Sequence, residues 1–159
     1  MSTPKDSVER IARRALARGI RIAAAESLTC GMLASTLGKG TDASEWFAGA
    51  VVAYRTDAKE RVLGLRPGAD PCSAECAEQL ALAVRELLAA DLSISTTGVG
   101  GPEEEDGHEP GTVYLGWATP VTTGHRLLRL TGDPREVLEH TVEHAVDELA
   151  DLLDERAFG

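Results

Sequence analysis

Residues 21–31 read RIAAAESLTCG. The short apolar run that ends at Glu26-Ser27 reads as a strand over about 20–25. Thr29, Cys30 and Gly31 then lead into an apolar-periodic stretch that reads as a helix over about 30–38. A strand turning directly into a helix is the unit of an α/β fold, and ligands in such folds gather beyond the carboxyl ends of strands, where helix N-termini present unpaired N–H groups. Ser27 stands at that place. Local rules leave two roles open for it, a helix cap or a nucleophile.

The flanking segments extend the pattern. Upstream, Val8, Ile11, Ala12, Ala15 and Leu16 recur at helical spacing after the Asp6-Ser7 cap signal and predict a helix over about 6–18. Downstream, WFAGAVVAY at 46–54 is short, apolar and partly β-branched, as a buried strand is, and TDAKERVLG follows it as a helix. After LRPGADP, a helix over about 73–90 carries the stripe Ala77, Leu80, Ala81, Val84, Leu87 and Leu88. DLSISTTG, TVYLGWAT and HRLLRL read as strands, the first two separated by the acidic loop GPEEEDGHEPG and the last two by a turn at VTTG. TGDP opens a closing helix whose stripe is Val137, Leu138, Val142, Ala145, Val146, Leu149, Leu152 and Leu153. Alternating helices and strands followed by adjacent strands predict a three-layer α/β/α sandwich with a mixed, mostly parallel sheet.

Composition limits the function classes. A chain of 159 residues fits one domain, 1–159, with one sizeable core. No apolar run approaches the roughly 18 residues of a membrane span, and the N-terminus lacks a signal-peptide apolar region, so the expected location is the cytoplasm. A net charge of -10 argues against direct nucleic-acid binding, which clustered Lys and Arg carry.

Three segments could bring chemistry to the strand ends: AESLTCG with Ser27, AYRTDAK with Tyr54 and Lys59, and STTGVGGP with Thr96, Thr97 and three glycines. With Thr56 as N-cap, Lys59 falls at the third helical position, where the macrodipole disfavours a cation. Such a site can depress a lysine pKa toward that of a general base; an ammonium paired with Glu26 or Asp57 is the structural alternative. Ser27 with a neutral Lys59 is a chemically sensible acyl-transfer pair. Cys72 and Cys76, four apart, lack zinc-ribbon spacing and read as buried thiols, while Cys30 is a possible second nucleophile beside Ser27. His140 and His144 in HTVEH match a zinc-peptidase pattern but lie on the polar side of their helix, and His108 reads as a loop residue.

Taken together, AESLTCG, WFAGAVVAYRTDAK, TGVGGP, GTVYLGWAT and TGDP resemble, in order and spacing, the C-terminal domain of the CinA competence-damage family. That domain also occurs alone as nicotinamide-nucleotide amidohydrolase. The resemblance covers nearly the whole chain and implies the same three-layer fold. It also implies hydrolysis of the carboxamide of nicotinamide mononucleotide to the nicotinate nucleotide and ammonia, a step of pyridine-nucleotide salvage that uses no metal or other cofactor. It makes Ser27 the nucleophile, Lys59 its base and Tyr54 an assisting residue. Glu26, Thr29, Cys30, Gly31, Thr97, Gly98 and Gly101 fall on the substrate side. Its implied partners are a small-molecule amide or nucleotide and further copies of the chain in a homo-oligomer.

The departures from the family pattern are specific. Cys30 replaces a glycine, which is expected to narrow the pocket; EEEDGHE replaces a small, Gly-rich stretch; Pro134 and Leu138 stand where arginines are expected, leaving the displaced Arg135. Loss of guanidinium forks weakens phosphate binding. A second reading therefore stands beside the enzyme: a divergent member without turnover, acting as a binding or regulatory protein.

Overall fold

Arg21 is followed by strand β1 (Ile22–Glu26), every residue of it buried, in a computed structural model that describes residues 3–155. β1 lies between β2 (Phe47–Val52) and β3 (Leu92–Gly98), parallel to both. β4 (Thr112–Ala118) and β5 (Thr123–Arg129) extend the sheet by antiparallel pairing, giving the order β2-β1-β3-β4-β5. All strands but β4 therefore run the same way, and the sheet is mixed and mostly parallel.

Helices cover both faces. On one side α1 (Pro4–Arg18), α2 (Met32–Gly38), α3 (Ala43–Trp46) and α6 (Pro134–Asp154) pack over Ile22, Ala24, Leu92 and Ile94. On the other, α4 (Thr56–Leu63) and α5 (Ala74–Leu87) pack over Ala23 and Ala25. The alternation along β1 is that of a strand covered on both faces. Glu26 continues it on the side of Ile22 and Ala24, which aims its carboxylate at α2.

Small residues set how closely α5 approaches the sheet. The hydroxyls of Ser93 and Ser95 donate to the carbonyls of Ala81 and Ala77, and the Thr97 hydroxyl donates to the carbonyl of Pro71. Two strand residues rise about 6.7 Å and four helix residues about 6 Å, so the repeats of β3 and α5 stay in step over this seam. Next to it, a Cβ on Gly116 would lie 2.1 Å from the Ala77 carbonyl oxygen. On this side hydroxyls and one glycine bring α5 close to the sheet, beside an apolar cluster of Leu63, Leu65, Leu80 and Val84.

Several boundaries differ from the sequence reading. α1 begins at Pro4, because Thr3 is its N-cap; Asp6 is the acid of a capping box with Thr3, not the cap. The four-residue α3 was not anticipated, and β5 begins at Thr123, inside the expected VTTG turn. α5 ends at Leu87, which is exposed rather than part of the apolar stripe. Among the described residues, no helix is long and apolar enough to cross a membrane.

Candidate active site

Ser27 follows β1 directly, and its N–H donates to the Thr96 carbonyl of β3 at 3.1 Å. It does not cap α2. The N-cap position is Gly31, at φ 98°, and the capping group comes from the preceding strand: Glu26. The Glu26 carboxylate accepts from the Thr29 hydroxyl at 2.6 Å and from the N–H groups of Gly31, Leu33 and Ala34 at 3.2, 2.9 and 2.9 Å. The hydroxyls of Thr29 and Thr96 lie 2.8 Å apart, tying the turn to β3. With capping supplied by Glu26, the Ser27 hydroxyl has no hydrogen-bond partner among the described residues. Ser27 is 6% exposed and lines a cleft of about 250 Å³. The N–H of Leu28, on the same cleft, likewise has no acceptor among the described residues.

Lys59 enters from the neighbouring strand end. Arg55, not Thr56, is the N-cap of α4, so Lys59 sits one position deeper than expected, still in the opening turns of an eight-residue helix. It is 3% exposed, and its Nζ donates to the Tyr54 carbonyl at 2.7 Å. That is its one hydrogen bond among the described residues. Neither proposed carboxylate partner is available, since Glu26 caps α2 and Asp57 pairs with Arg55 at 3.0 Å. Burial holds the Lys59 pKa below the ordinary lysine value, with the Cys76 thiol and the Glu105 carboxylate pulling weakly the other way. Tyr54 lines the cleft but is 63% exposed, and its hydroxyl bonds to none of the described residues.

The third segment forms the opposite wall. Thr97, Gly98 and Gly101 line the cleft. Gly98 has φ 151°, and a Cβ there would lie 2.4 Å from the Thr112 carbonyl oxygen, so no other residue fits without moving β4. Glu105 and Asp106 also line the cleft, from a small hairpin rather than an open loop. The backbones of Glu105 and His108 exchange hydrogen bonds of 3.1 and 2.8 Å, and Asp106 and Gly107 between them have φ 49° and 82°. Asp-Gly is the dipeptide that suits two successive positive φ values, a signal the sequence reading passed over. The hairpin is pinned to the segment before α5, with His108 Nε2 2.7 Å from Asp70 Oδ2, while Asp70 Oδ1 accepts the N–H of Cys72.

Four expected substrate-side residues do not line the cleft. Glu26 and Thr29 are occupied in capping, Gly31 is the N-cap, and Cys30 is exposed at φ 46°, so its side chain does not narrow the pocket. Cys72 lines the cleft and Cys76 lies in the core near Lys59; burial pushes each thiol up to about 11, which keeps both protonated at neutral pH. His140 and His144 lie on α6, and among the described residues no group of three His, Cys, Asp or Glu side chains is placed to hold a metal ion. Pro134 and Leu138, by contrast, do line the cleft.

The CinA C-terminal domain model matches residues 5–153. A provisionally named competence-damage inducible protein of Bacillus subtilis is 45% identical over 103 residues, covering 62% of this chain and 25% of that protein. A relative of the same name from Caldanaerobacter subterraneus is 38% identical over 144 residues, 87% of this chain and 35% of that protein. The chain thus spans between a quarter and about a third of the length of these relatives. Among solved structures, a CinA superfamily protein from Klebsiella pneumoniae superposes with a TM-score of 0.91 at 31% identity, covering 96% of this chain and 99% of that one. A competence or damage-inducible protein from Enterobacter asburiae gives a TM-score of 0.93 at 30% identity, covering 96% and 99%. The chain belongs to the CinA C-terminal domain family.

Proposed function

We propose that this chain is a metal-independent amidohydrolase that converts the carboxamide of nicotinamide mononucleotide, or of a related amide, to the carboxylate and ammonia. One observation carries the reading. A serine only 6% exposed, whose hydroxyl bonds to none of the described residues, and a buried lysine with a single acceptor among them line one cleft at the carboxyl end of parallel strands. Ser27 Oγ attacks the amide carbon as neutral Lys59 takes its proton, and the Leu28 N–H, which has no acceptor among the described residues, would donate to the oxyanion. The C–N bond then breaks, and Lys59 returns the proton to the departing nitrogen as ammonia forms. Water, deprotonated by Lys59, attacks the ester carbon, and Lys59 returns that proton to Ser27 Oγ as the ester C–O bond breaks and the carboxylate leaves. Ser27 and Lys59 are not hydrogen-bonded to each other; catalytic hydrogen bonds commonly tighten as substrate binds.

Ammonia release from nicotinamide mononucleotide in the presence of a chelator tests this. The wild-type chain should turn over and Ser27→Ala should lose at least about 10³-fold. A wild-type chain inert toward this nucleotide and its riboside, or a Ser27→Ala chain of undiminished rate, overturns it. The acidic hairpin and the apolar residues at 134 and 138 favour a second reading, a binding or regulatory protein without turnover; that reading requires ligand affinity with no ammonia released.

A further inference from the structure

The walls of the cleft carry an unusual charge balance for a site that would hold a phosphorylated substrate. Glu105 and Asp106 face into it, and Lys59 is the only Lys or Arg among its described lining residues. That ammonium is buried and already donates to the Tyr54 carbonyl. The remaining candidate for anion binding is the N-terminus of α6, whose first residue, Pro134, lines the cleft. It is closed to anions. Pro134 has no N–H, Asp133 accepts the N–H of Glu136 at 2.9 Å, and Glu136 in turn accepts the N–H of Asp133 at 3.3 Å. Two carboxylates therefore occupy the place a phosphate would take. Arg135 is turned away, with its guanidinium 2.9 Å from Glu139. Leu138, one helical turn further on, presents an apolar surface to the same space. The cleft is nevertheless open to a ligand, since Ser27, more than nine-tenths buried, lines it with a hydroxyl that bonds to none of the described residues.

We infer that the cleft selects an amide carried on a cationic, non-phosphorylated scaffold, such as an N-ribosylated pyridinium carboxamide, over the corresponding phosphomonoester. The positive ring would lie against Glu105 and Asp106, and the sugar, lacking phosphate, against Pro134 and Leu138. Two exposed carboxylates lining the cleft, with no free cation to offset them among its described lining residues, are expected to disfavour the phosphomonoester by about tenfold or more. The inference rests on the amidohydrolase reading for the reaction, but not for the charge preference, which binding reports by itself.

The test is calorimetric titration of the Ser27→Ala chain with nicotinamide riboside and with nicotinamide mononucleotide, alongside ammonia release by the wild-type chain with both. The expected result is at least about tenfold tighter binding of the riboside, with kcat/KM in the same order. Glu105→Gln with Asp106→Asn should shrink that ratio, and Leu138→Arg should raise affinity for the mononucleotide alone. Tighter binding of the mononucleotide, equal binding, or binding of neither overturns the inference. The expected binding ratio without ammonia release sustains it and removes only the hydrolytic reading.

Discussion

Glu26 and Lys59 are both ionisable and both nearly fully buried, Glu26 as the last residue of β1 and Lys59 in α4, the helix that follows β2. They differ in how their charge is answered. The Glu26 carboxylate accepts from a hydroxyl and three backbone N–H groups, so it is locked and serves α2 as a cap. The Lys59 ammonium has one carbonyl acceptor and no carboxylate within ion-pair distance among the described residues. A buried charge whose bonds are all made belongs to the fold, whereas one whose bonds are mostly unmade is disfavoured in its charged form and available to accept a proton. Ser27 takes its place in the site because Glu26 relieves it of capping.

Replacing each residue in turn separates these two roles. The largest effect is expected at Lys59: Lys59→Ala should lower ammonia release by about 10²–10⁴-fold, with partial rescue by a small primary amine added to the assay. No rescue, with the fold intact, would assign Lys59 to packing. Next, Glu26→Ala leaves three backbone donors of α2 without their acceptor, and chemical denaturation should show a loss of about 3 kcal/mol in unfolding free energy. A loss within about 0.5 kcal/mol would mean that water replaces the carboxylate and that the cap is dispensable.

A smaller effect concerns pH. Because burial depresses the Lys59 pKa in the folded chain, the unfolded chain binds more protons between the folded and unfolded values. The lysine's contribution to stability is therefore fully present above the unfolded value and declines as pH falls through the folded one. In kcat/KM the same group should give an acid limb centred below the ordinary lysine value of about 10.4. A limb at or above that value would show an ordinary, solvated ammonium. The smallest change is expected at Cys30, which holds φ 46° without being a glycine. Cys30→Gly should stabilise the chain by about 1 kcal/mol in thermal melts and leave turnover unchanged, since that side chain is outside the cleft.

Much of this arrangement was legible in the residues. The run from Ile22 to Ala25, the helical stripes and the ordered strand ends predicted the sandwich, and Lys59 near a helix start suggested a lowered pKa, by the macrodipole where burial is the cause. What the pattern missed came from interactions between elements distant in sequence or from turns read too coarsely. Nothing in AESLTCG says that Glu26, at the end of a strand, turns back to cap the next helix, because local rules look for a cap at the boundary itself. Arg55 displaces Thr56 as N-cap through backbone geometry alone, with no side-chain bond to signal it. The acidic segment reads as an open loop by its charge, yet Asp106-Gly107 folds it into a hairpin that Asp70 holds through His108. Pro134 and Leu138 could be matched to family arginines by position, but only the fold brings α6 to the same cleft as Ser27.

The most direct measurement is paired on one protein, Lys59→Met, with ammonia release and unfolding free energy taken from the same sample. A methionine of similar length removes an ammonium that has one partner and keeps its apolar stem. Turnover should therefore disappear while stability holds or rises. Retained turnover, or a loss of stability as large as that of Glu26→Ala, would contradict the assignment of Lys59 to chemistry rather than to the fold.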